Sequence, residues 1–181
     1  MISLLLMLMM THSAAKPPPA AKAPAVRSDV ELREVIESYL DASERPMPYA
    51  QWQALGQRAE PILREIVSGD ALPTRRARAV NGLVALAGQS TPAMLAEFSL
   101  DEAKPLSVRL AAVRGLSRLT VDSELLAALR PVVEGAKDPR ISSTAAELIA
   151  QRVPESGCAL VRAKGASDLH FQRALSACEG R

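Results

Sequence analysis

Residues 107–119, SVRLAAVRGLSRL, nearly copy residues 74–86, TRRARAVNGLVAL. Arg109 aligns with Arg76, Val113 with Val80, Gly115 with Gly82, Leu116 with Leu83 and Leu119 with Leu86, always 33 positions apart. One more step of 33 reaches Ser142, Ala146, Leu148, Ile149 and Arg152, a weaker copy that keeps the pattern of faces. A period of about 20–50 residues means stacked supersecondary units, because no single unit buries its own apolar face.

The residues ahead of each copy keep the same spacing. Leu63, Ile66 and Val67 match Ala96, Ser99 and Leu100, then Leu129, Val132 and Val133. Each unit therefore predicts two helices, over 58–68 and 74–87, 92–103 and 105–119, and 123–136 and 139–153. Pro92, Pro105 and Pro139 fall at helix starts, where a missing N–H costs little. Gly69, Gly88 and Gly135 fall near helix ends, as C-terminal caps prefer. Hydrophobic residues make up 48% of the 181, enough for a core, while aromatics supply only 3%. An Ala, Leu and Val core with few rings suits close helix packing better than a sheet. The expected class is all-α.

The unit resembles the HEAT-repeat family, and more closely the short bacterial HEAT-like repeats also seen in phycobilisome lyases. The resemblance spans 58–153 and rests on a Val-Arg pair entering the second helix, followed by small apolar residues. SVRLAAVRGL preserves it best; Arg75 and Arg76 hold the places of Val108 and Arg109, and the third copy has Ile141 and Ser142. It implies a short right-handed α-solenoid of about three helix pairs, with the second helices along a concave face. Residues 28–57 and 154–181 become helical caps, which terminal units of such arrays need.

On a helical wheel, Arg109 sits among Ala112, Val113, Leu116 and Leu119, while Ser107, Arg114 and Arg118 lie opposite. Arg76 sits likewise among Ala79, Val80, Leu83 and Leu86, with Thr74, Arg78 and Asn81 facing away. Arg76 and Arg109 are thus expected in the seam between units. The resemblance implies an acidic partner near the preceding turn, Asp70 or Glu102, because a buried guanidinium is costly unpaired. Arg78, Asn81, Arg114 and Arg118, with Glu147 and Gln151 at the equivalent places of the third copy, form the candidate partner-binding face. A plain solvated face is the alternative. Gly82 and Gly115 each cost about 1 kcal/mol inside a helix, and their place at the edge of the apolar arc suggests close helix approach.

The ends read differently. Residues 2–10 are an unbroken apolar run followed by Ser13-Ala14-Ala15, the pattern of a signal peptide over 1–15. No Lys or Arg precedes the run, so a misplaced start or a disordered tail remains the alternative. Residues 16–27, rich in Pro and Ala, read as a linker. Ser28 and Glu31 form a capping box for a helix with Leu32, Val35, Ile36, Tyr39 and Leu40 on its apolar stripe. Trp52 and Leu55 are expected to cover the first unit's open side. Two short helices close the chain, with Phe171, Ala174, Leu175 and Cys178 on one face. Cys158 and Cys178 are the only cysteines. In an exported protein they form a disulfide; in a cytosolic one they are buried thiols.

Little here points to chemistry. His170 is the only histidine beyond His12, and its spacing from the two cysteines is unlike ordinary zinc modules. Neither a phosphate-cradling glycine loop nor a nucleophile elbow occurs, and the His-Glu metal motifs of HEAT-type deoxyhypusine hydroxylases are missing. No catalytic, cofactor or metal residue is therefore expected. The expectation is an exported, non-catalytic scaffold that binds a protein partner along its second helices. The alternative is a basic groove for a polyanion or nucleic acid, as in the HEAT-like alkylpurine glycosylases. A net charge of +2, the export reading and the acidic third copy oppose that. A lyase role rests on analogy alone.

Overall fold

The computed structural model describes residues 28–42, 47–165 and 168–179. The expected signal peptide and linker lie outside the described residues. Among those residues the chain is all-helical: α1 (Asp29–Asp41), α2 (Tyr49–Ala54), α3 (Ala59–Ser68), α4 (Pro73–Leu86), α5 (Thr91–Leu100), α6 (Leu106–Leu119), α7 (Asp122–Gly135), α8 (Pro139–Arg152), α9 (Pro154–Gly165), a 3₁₀ turn (Leu169–Phe171) and α10 (Gln172–Glu179). No described helix is long and apolar enough to cross a membrane.

The three expected pairs form as α3–α4, α5–α6 and α7–α8, and the helices within each pair pack together. The second helices also pack on one another, α4 on α6, α6 on α8 and α8 on α10. Their first residues, Pro73, Leu106, Pro139 and Gln172, are spaced by 33 throughout. α10 thus continues the row of second helices, and it also packs on α9, the two being the short helices expected to close the chain. Ala79, Ala112, Ala145 and Cys178 hold one position in the four copies, and all are buried. The repetition of small residues at one buried place lets neighbouring second helices lie close.

One apolar core runs from Leu32 in α1 through Leu83, Leu116 and Ile149 to Phe171. Gly115 sits in it where a Cβ would come 2.4 Å from Val84 Cγ2 and 3.2 Å from Leu95. A Cβ at Gly82 would meet Leu63 at 3.0 Å and Trp52 at 3.2 Å. Close approach therefore explains the repeated glycine, and more strictly in the second copy than in the first.

Helix ends follow local chemistry. Ser28 Oγ accepts from Glu31 N at 3.2 Å and Glu31 Oε2 accepts from Ser28 N at 2.9 Å, completing the capping box. α5 stops at Leu100 instead of 103, because Asp101 Oδ1 takes the Ala103 N–H at 3.0 Å and turns the chain. The expected glycine cap of α4 is replaced by Ala87, which holds the left-handed conformation at φ 49°. α7 runs straight through Pro131, whose exposed position tolerates the lost N–H bond.

Candidate functional site

The seam arginines make different bonds from those expected. Arg109 is 6% exposed, and its Nε donates to the Ser99 carbonyl at 3.2 Å while its buried Nη2 finds no partner among the described residues. Arg76, half-buried, donates its Nε to the Val67 carbonyl at 2.9 Å. The first helix ends at those carbonyls, whose intrahelical donors are missing, so each guanidinium satisfies a helix end. Neither Asp70 nor Glu102 is the acceptor; Glu102 pairs instead with Lys137 at 3.0 Å.

A different arginine does the tying that was expected of the ladder. Arg152 stands where the earlier copies have Leu86 and Leu119. It donates to the Ser117 carbonyl and hydroxyl, to the Thr120 carbonyl at 3.0 Å and to Asp122. It therefore joins the end of α8 to the end of α6 and the start of α7. Its place at a position that is leucine in the two earlier copies hid that role in the sequence.

Two clefts open along the second helices. The first, about 460 Å³, lies between α1–α2 and α4–α6. Its apolar floor is Tyr39, Met47, Tyr49, Trp52 and Leu110, and its cations are Arg78, Arg114 and Arg118. The second, about 400 Å³, lies between α6, α8 and the 3₁₀ turn–α10 segment. Arg114, Arg140 and Arg173 line it with Ser143, Thr144 and Glu147. Leu110 and Arg114 line both clefts, which therefore adjoin along α6 as two halves of a groove.

The groove is one repeated helix face. Ser107, Leu110, Ala111 and Arg114 line it from α6; Arg140, Ser143, Thr144 and Glu147, each 33 residues later, line it from α8. Ala77, Arg78 and Asn81 supply the same places from α4, and Arg173 repeats Arg140 on α10. Thus Arg78, Asn81, Arg114, Arg118 and Glu147 come together as the wheel suggested. Gln151 does not line either cleft; its amide donates to Glu147 Oε1 at 3.2 Å. Arg140 and Arg173 were missed, although the 33-residue spacing marks them: they continue the row of Thr74 and Ser107, which already faced away from the core.

Electrostatics concentrate here. Five arginines and a single carboxylate line the two clefts, against a net charge of +2 for the whole chain, so the remainder is slightly acidic. Arg114, Arg118 and Arg173 form no ion pair with any described carboxylate. Arg118 instead donates to the Tyr49 hydroxyl, with its guanidinium 5.5 Å above the Tyr49 ring, a cation–π arrangement. Arg78 is half-buried rather than free, because Nη1 donates 2.6 Å to the Leu40 carbonyl at the end of α1. Arg140 is held by Asp138 at 2.8 Å. The hydrogen bonds from the Arg140 side chain hold the Asp138 carboxyl down at about 2.

Trp52 is 2% exposed and packs edge-on against Tyr39, centroids 5.4 Å apart, so it serves the core and gives only an edge to the cleft. Cys158 and Cys178 are joined in disulfide geometry, Sγ atoms 1.98 Å and Cα atoms 5.7 Å apart, linking α9 to α10. That link steadies the helix carrying Arg173. Compared with protein-family models, with curated proteins and with solved structures, the chain matches none of them.

Proposed function

We propose that this chain is an exported, non-catalytic scaffold, a short HEAT-like α-solenoid that holds a protein partner in the groove of its second helices. The observation that carries the reading is the groove itself: Arg78, Arg114, Arg118 and Arg173, none ion-paired with a described carboxylate, line one helix face from α4 through α6 to α10, with an apolar floor at its α1–α2 end. Apolar area supplies affinity and uncompensated charge supplies orientation and partner choice. The 33-residue spacing of the four second helices supports the solenoid. The paired cysteines and the apolar run at residues 2–10 support export, since disulfides persist in oxidising compartments.

The competing reading is a polyanion site, favoured by the concentration of arginine. The apolar floor of the first cleft, which a phosphate backbone would leave unused, weighs against it. The two separate by salt: contacts from several arginines to a phosphate backbone weaken steeply as salt rises.

The experiment is cross-linking capture from the envelope fraction with the unmodified chain and with Arg114→Glu/Arg118→Glu. Neither side chain is buried, so circular dichroism is expected to show an intact fold. Loss of a specific cross-linked partner supports the groove; a doubly reversed protein that keeps every partner overturns it.

A further inference from the structure

Resting on that groove reading, we infer its ligand chemistry: an extended acidic peptide segment carrying one aromatic or aliphatic side chain a few residues from its carboxylates. The two halves of the groove differ in kind. The first cleft has the apolar floor, with Tyr49 38% exposed and Met47 beside it. The second cleft is shorter of apolar surface and offers Arg173 and Arg114, neither ion-paired among the described residues, with the hydroxyls of Ser143 and Thr144 nearby. An apolar residue therefore belongs at the α2 end and carboxylates at Arg114 and Arg173, which with Arg140 outnumber the one carboxylate of the second cleft, Glu147.

Charge excludes the obvious internal occupant. Residues 16–27 carry Lys16, Lys22 and Arg27 and no acid, so the chain's own Pro-rich segment is repelled by these arginines. A guanidinium presents a planar fork that matches a carboxylate, and the cations come from α6 and α10 rather than from one point. Spread donors of this kind fit charges distributed along a chain better than one compact oxyanion.

Spacing fixes the length. Packed helices lie about 8–10 Å apart, so crossing α4 to α10 covers about 25–30 Å, which an extended chain at about 3.3 Å per residue spans with roughly nine residues. The two clefts, about one and a half helix spacings apart, place the apolar side chain about four residues from the carboxylates.

The test is affinity selection of random peptides of about nine residues on the immobilised full-length chain, beside binding of a short fluorescent oligothymidylate. Enriched sequences are expected to pair an aromatic or aliphatic residue with Asp or Glu about four positions away. The selected peptide is expected to lose about tenfold or more in affinity with Arg173→Glu, to recover with Arg173→Lys, and to lose its apolar preference with Tyr49→Ser. Neutral or basic consensus sequences, no enrichment, or an indifferent Arg173→Glu overturn the inference. Oligothymidylate binding that displaces the peptide at comparable affinity overturns it too, in favour of a polyanion. Partner capture that needs Arg114 and Arg118 while selected peptides lack acids leaves the groove reading standing and removes only this one.

Discussion

Single residues decide how tightly the units stack. At Gly115 a methyl group would stand 2.4 Å from Val84, itself buried. Overpacking of about 1–3 kcal/mol then exceeds the roughly 1 kcal/mol gained in helix propensity. Gly115→Ala is therefore expected to lower stability in urea unfolding, whereas Gly82→Ala, whose neighbours start at 3.0 Å, is expected to be nearly neutral. Equal losses at both places would mean that approach distance is not what selects the glycine. The arginines divide in a similar way. Arg152→Ala removes donors from two carbonyls and a carboxylate and is expected to cost about 2–3 kcal/mol. Arg109→Met strands the Ser99 carbonyl and removes a charge near Asp138, but it also removes an incompletely bonded buried guanidinium, so about 1 kcal/mol or less is expected. Denaturant midpoints of the two variants in the opposite order would reverse this assignment.

Individual elements depend on their ends. Asp138 caps α8, accepting from Arg140 N at 2.9 Å, and its carboxyl titrates near 2 rather than at the usual 3.8. A pKa lowered by folding stabilises above the unfolded value and fades as pH falls toward the folded one. Asp138→Asn keeps a capping side chain but loses the charge that Arg140 pairs with, and is therefore expected to cost about 1 kcal/mol or less at neutral pH. The gap in melting temperature to the unmodified protein should close between about 4 and 2, and a gap that persists at the acid end would exclude the linkage. At the other end, the disulfide closes a loop of 20 residues, worth about 3 kcal/mol. Reduction, or Cys158→Ser/Cys178→Ser, is expected to raise hydrogen exchange in α9 and α10 first. The groove then loses a firmly placed Arg173, with the carboxylate end of any ligand affected most. Uniform exchange along the chain after reduction would argue that the staple acts globally.

The whole molecule shares a continuous core, from Leu32 to Cys178. Stacked units are stabilised by their interfaces with nearest neighbours, and short arrays unfold together when those interfaces are strong. Trp52, the only tryptophan, reports on the first end, while far-UV circular dichroism reports on all helices. Their urea midpoints are expected to coincide, and an earlier fluorescence transition would reveal an N-terminal end that melts by itself. The same continuity brings Arg78, Arg114 and Arg173, 95 positions apart from first to last, onto one groove.

By itself the sequence determined the helix class, the 33-residue unit, the second helices to within about a residue, the face on which Arg114 and Arg118 lie, and the capping box at Ser28. These are local or periodic properties: the chain writes them in spacing, and helix geometry converts spacing into a face. What only the tertiary structure decided was where each cation finds its partner. Arg109 bonds a carbonyl rather than Glu102, Arg78 reaches back to α1, and Arg152 ties the end of α8 to the turn between α6 and α7. α10 joined the row by packing on α8, with Cys178 in the buried place that Ala145 holds one unit earlier. Partners chosen by packing depend on which elements touch, and a one-dimensional pattern carries no record of that.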